Sequence, residues 1–175
     1  MARIPGFLLL AALLFAAPAQ AIVIDLTADI GGGQEVPPTD SLAFGTGVFE
    51  YDDESNVLTW TILFTASLFD TEEIASHIHG PAAPGENADI LIDLGTGQLK
   101  EGMADLDLVA DCSGDPEACE ADLLAGLWYV NIHSTEHENG EIRGQILPVA
   151  VPEPALALLV AGAGGWLLRR RIAAE

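Results

Sequence analysis

Apolar and polar residues alternate with a period of two along most of the chain, in short runs broken by Gly, Pro, Asn and Asp. That pattern predicts strands at Ile22–Ala28, Gly45–Tyr51, Val57–Ser67, Ala75–His79, Ala88–Leu94, Ala104–Val109, Leu127–His133 and Glu141–Leu147. Asp52-Asp53-Glu54-Ser55-Asn56 has the composition of a hairpin turn, and Asn139-Gly140 is a tight-turn pair leading into the last strand. One helix is predicted near residue 116, with Asp115 as N-cap, Pro116 at the first position and Gly126 past the end. So many short strands with a single helix predict an all-β fold, an antiparallel immunoglobulin-like β-sandwich with one short helix.

Both ends break the alternation. Residues 1–21 carry Arg3, then an apolar run over Phe7–Ala17, then Ala19-Gln20-Ala21, the order of a secretory signal peptide. At the other end Pro152-Glu153-Pro154 precedes Ala155–Leu168, which is free of charge, and then Arg169, Arg170 and Arg171. As a helix that stretch covers roughly 21 Å against a hydrocarbon core of about 30 Å, so it spans only with thinning or snorkelling. The arginine cluster holds its end in the cytoplasm. Proline-glutamate-proline, a short apolar helix and terminal arginines, in this order, resemble the PEP-CTERM sorting signal. The resemblance implies a Gram-negative bacterium whose exosortase cuts the inner-membrane-anchored precursor and leaves the domain at the cell surface or outside. Signal peptidase and exosortase are then the processing partners, and membrane anchoring through residues 151–175 is transient. One domain, 22–150, lies between the two addresses.

Charge sharpens that division. The whole chain has net charge −21 yet a mean hydropathy of +0.33. Residues 22–153 hold 26 of the 27 acids against Lys100 and Arg143 alone, a net of −24. A domain with two cations cannot assemble the basic patch that a phosphate backbone requires, so nucleic acid is excluded as a partner. Anionic lipid is disfavoured for the same reason. Asp52-Asp53-Glu54 and the Asp105–Asp115 series lack EF-hand spacing and read as solvated faces rather than calcium loops. Cys112 and Cys119, seven apart in an exported chain, are most simply a local disulfide.

Four motifs remain: Glu35-Val36-Pro37-Pro38, His77-Ile78-His79-Gly80, Tyr129-Val130-Asn131-Ile132-His133, and Gly140-Glu141-Ile142-Arg143-Gly144-Gln145. In this order they resemble the CHRD domain, named for chordin and found in bacterial secreted proteins, over about Asp25–Leu147. The chain departs from that pattern at the Cys112–Cys119 insertion and at Ser134, where the family usually has Thr. The resemblance implies topology and location rather than an activity.

Chemistry rests on the histidines. His77 and His79 are two apart on a predicted strand, so both project from one face. If the strand of His133 is adjacent, three imidazoles converge on one copper or zinc ion, with His137 as a fourth candidate. The other role open to them is hydrogen bonding to loop carbonyls and carboxylates. A histidine pair on a strand with a late arginine also resembles, loosely, a copper-only superoxide dismutase, in which Arg143 would guide the anion. Alternatively Arg143 pairs with Glu35 and locks the first loop to the last strand. Trp60, Phe64, Trp128 and Tyr129 sit within strand patterns and are expected in the core. No nucleophile elbow, Walker A loop, dinucleotide fingerprint or zincin helix is present. The expected function is an exported binding or structural module, with extracellular polysaccharide or surface proteins as partners; the alternative is a small metalloprotein.

Overall fold

A computed structural model describes residues 22–65 and 72–150; the predicted signal peptide and the sorting segment with Pro152, Glu153, Pro154 and Arg169–Arg171 lie outside them. The described residues form nine strands: β1 (Val23–Gly31), β2 (Phe44–Asp52), β3 (Val57–Phe64), β4 (Glu73–His79), β5 (Ile90–Asp93), β6 (Leu99–Asp105), β7 (Tyr129–Ser134), β8 (Ile142–Gln145) and β9 (Leu147–Pro148). One helix, α1 (Pro116–Leu124), precedes β7. Every pairing is antiparallel, and the strands form one continuous sheet in the order β5-β4-β7-β8-β1-β2-β3-β6, with β9 also on β1. The antiparallel all-β expectation therefore holds. In place of two facing sheets, however, a single sheet coils into a nearly closed barrel. No helix among the described residues is long and apolar enough to cross a membrane.

Period-two alternation turns one side of each strand inward. Leu26, Ala28 and Ile30 of β1 meet Phe49 and Tyr51 of β2, Leu58, Trp60 and Ile62 of β3, and Ile78, Val130, Ile132 and Ile142 from the other half. Burying such side chains contributes roughly 1.5–3 kcal/mol each. The β2–β3 turn sits where its composition predicted: Asp52 accepts from the amides of Glu54 and Ser55, and Asn56 takes φ +55. Tyr51 donates its hydroxyl to Asn56 Oδ1 at 2.8 Å, tying the turn to the core.

Strand β6 lies five residues earlier than the apolar pattern predicts. Its inward row is Lys100, Gly102 and Ala104, opposite Ile62, Trp60 and Leu58, while Leu99 and Met103 face solvent. Gly102 is small because the Trp60 indole occupies its space, with Cζ2 only 2.5 Å from where a Cβ would stand. Lys100, 3% exposed, closes the barrel seam. Its ammonium lies 2.7 Å from Glu73 Oε1 on β4 and donates to Gly95 O, forming the only ion pair among the described residues. The last predicted strand is two: β8 continues the sheet, and the chain then crosses to add β9 to β1.

The helix forms as its capping residues dictate. Asp115 accepts from the Ala118 amide at 3.1 Å, Pro116 opens the helix, and Gly126 beyond it takes φ +73. The predicted disulfide joins Cys112 to Cys119 and pins the helix start to the loop before it.

Candidate metal centre

The last three motifs become neighbours because β7 lies between β4 and β8. Across β4 and β7, His77 faces Asn131, His79 faces Tyr129 and Ala75 faces His133; across β7 and β8, Tyr129 faces Gln145 and Asn131 faces Arg143. Alternation then puts His77, His79, Tyr129, Asn131, His133 and Arg143 on the outer side, opposite the core residues Ile78, Val130 and Ile132. An outer barrel face is normally wet, yet most of this one is buried: Arg143 is 1% exposed, Asn131 3% and His79 8%. Loops cover it. Glu35–Pro37, Glu86–Ala88 and Glu138–Gly140 all line its clefts or bond its side chains.

The imidazoles of His77, His79 and His133 come together as expected, each offering a nitrogen within 4.8 Å of the other two. His137, in the turn after β7, stays outside this group. Hydrogen bonding fixes two tautomers. His79 Nδ1 lies 3.0 Å from Ala88 O, and His133 Nδ1 lies 2.9 Å from Glu138 O. A carbonyl only accepts, so both Nδ1 atoms carry the proton and both Nε2 atoms keep a bare lone pair. His79 Nε2 is buried without a partner. His133 Nε2 lies 3.2 Å from His77 Nδ1, close to the roughly 3.3 Å between two nitrogens that share a tetrahedral ion at about 2.0–2.1 Å. Carbonyls behind ligand imidazoles are the usual second layer of a metal site. The loop-bonding role open to the histidines is thus filled by Nδ1 of His79 and His133, and their Nε2 atoms stay free of the loops.

Electrostatics keep the nitrogens available. Burial pushes the His79 imidazole down to about 4, against the upward pull of its Ala88 hydrogen bond. His77 and His133 are also lowered by burial, the first resisted by Asp93 and the second by the Glu138 carbonyl. Neutral imidazoles are the metal-binding form. Copper and zinc are the ions suited to such a nitrogen set, and no carboxylate among the described residues joins it.

Tyr129, expected in the core, is instead the support of the site. The His79 ring stacks on it at 5.1 Å and 6°, and the Arg143 guanidinium lies 3.4 Å from its ring centre. Its hydroxyl accepts from the Ala88 amide, steadying the residue whose carbonyl holds His79. Asn131, Tyr129 and the two carbonyls were not among the expected site residues; only the alternation through Tyr129, Asn131 and His133 signalled the first two.

The expected Glu35–Arg143 ion pair is not formed. Arg143 donates to Glu86 O, Asn87 Oδ1 and Gln145 Oε1. Glu35 is 4% exposed, and its Oε1 is buried without a partner beside Gly140 and Asn131. Burial lifts its carboxyl to about 7, and the attraction of Arg143 offsets only part of that rise. The two residues feel each other's charge without touching, because the guanidinium is committed to the loop over β8. Gly140, at φ +128, has to be glycine: a Cβ would stand 2.6 Å from the Asn131 amide and 2.7 Å from Glu35 Oε1.

A cleft of about 330 Å³ opens beside the histidines, between Val36, Pro37, Asn87, Ala88 and Asn139, with His79, Tyr129 and Asn131 as its walls. A second of about 190 Å³ shares Val36, Pro37 and Asn139 and reaches Glu35 and His137. Neither the curated proteins nor the solved structures yield a match to the sequence or the fold. The pattern of the CHRD domain matches residues 26–146, spanning all the strands that build the loop-covered face, and the chain belongs to the CHRD-domain family.

Proposed function

We propose that this CHRD domain is an exported binding module whose ligand is a transition-metal ion, copper or zinc, held by His77, His79 and His133. One observation carries the reading: two buried imidazoles, each fixed by a carbonyl on Nδ1, aim bare Nε2 atoms at a third within coordinating reach. The test is to load the purified protein with copper or zinc, desalt it and measure bound metal. One equivalent retained by the wild type and lost in His77→Ala, the most exposed of the three, is the expected result. Retention below about a tenth of an equivalent in the wild type overturns it.

The dismutase-like alternative shares this centre but needs Arg143 to steer an anion from solvent. Buried at 1% exposure with its donors engaged, Arg143 supports the site from beneath instead. The proposal places the module outside the cell, and its support is the sequence of the two ends and the single disulfide. Polysaccharide or surface proteins are the macromolecules it would meet there. Replacing Pro152, Glu153 and Pro154 with alanine in the native host is expected to trap the precursor in the inner membrane. Unchanged size and location would refute exosortase processing.

A further inference from the structure

We propose that a metal ion at His77, His79 and His133 keeps one coordination position open for a small anion entering from the Val36–Asn139 cleft. This deepens the metal reading and rests on it. Three imidazoles converge, and neither His137 nor any carboxylate among the described residues joins them, so a four-coordinate ion has one position left. His79 belongs at once to the trio and to the wall of the 330 Å³ cleft, which brings that position beside a space large enough for several water molecules.

Charge decides what enters. Three neutral imidazoles leave a divalent ion uncompensated. The nearby carboxylate, Asp93, opposite His77 across β4 and β5, does not join the trio, and the Arg143 guanidinium packs on the Tyr129 ring against which His79 stacks. The site lies under loops that limit access to small ligands. The cleft rim is Val36, Pro37, Asn87 and Asn139, polar and apolar without a cation, so the anion's charge is met by the metal and not by the rim. An anion of a few atoms that donates one lone pair is the class that fits.

Azide is the probe. It is titrated into the copper(II)-loaded protein and followed by its charge-transfer absorption and by copper electron paramagnetic resonance. A saturable new band is expected in the wild type. Val36→Trp and, at an exposed lining position, Asn139→Trp fill the cleft without replacing a ligand. Each is expected to keep the copper and weaken azide at least about tenfold. Full copper occupancy with a spectrum that azide leaves unchanged overturns the open position while the metal site stands. Equal azide affinity in the wild type and in a correctly folded, copper-loaded variant overturns the cleft as the route. Failure to retain copper at all overturns the metal reading itself, and this proposal with it.

Discussion

Glu35 shows how a single side chain stores a pH dependence. Its carboxyl is raised from 4.5 to about 7 by burial, so between these values the folded protein binds a proton that the unfolded chain does not. Stability from this group is complete below about 4.5 and is lost as pH rises through 7. Glu35→Gln removes the ionisation, so it should gain on the wild type by on the order of 2 kcal/mol between pH 5 and pH 8, after a discount for solvent screening. Chemical denaturation at the two pH values measures this, and a difference that stays constant with pH refutes it. Arg143→Ala strips donors from Glu86 O, Asn87 and Gln145 and the cation from Tyr129, and should cost about 3 kcal/mol. An unchanged melting temperature would contradict that role. At this scale the histidines were legible, because spacing on a strand fixes a face. The partners of Glu35 and Arg143 were not, since loop conformation decides which carbonyl a guanidinium reaches.

Strands bring the site together, and the pattern found most of them. The centre exists because β7 runs antiparallel between β4 and β8; Asn139-Gly140 signals the β7–β8 hairpin, but no local signal in the sequence specifies the β4–β7 pairing. Strand β6 was misplaced because Lys100, Gly102 and Ala104 present no apolar row: the seam needed a cation, and the Trp60 ring needed a gap. Glu73→Ala leaves the Lys100 ammonium buried and unpaired and should cost about 3–5 kcal/mol in urea unfolding. Glu73→Leu combined with Lys100→Met should recover most of that loss. A double variant as unstable as the single one would show that the seam depends on the charges themselves. Loss of the Cys112–Cys119 bridge in Cys119→Ser should cost roughly 2.5 kcal/mol by loop entropy, without moving β4 or β7.

For the molecule as a whole, alternation settled the class but not the closure. Two facing sheets and one coiled sheet share the same inward and outward rows, and only the β8–β1 pairing separates them. The division of charge between the ends and the domain was legible, and it has a consequence for the folded state. Residues 22–153 carry net charge −24 and repel themselves. Raising salt from about 0.01 M to 0.15 M shortens the screening length from about 30 Å to 8 Å and should raise the melting temperature. Anomalous X-ray diffraction at the zinc edge, from zinc-loaded crystals, shows whether His77, His79 and His133 hold one ion. One strong peak is expected at about 2.0–2.1 Å from a nitrogen of each of the three rings. A map with no peak there, or with zinc only on His137 or surface carboxylates, would contradict it.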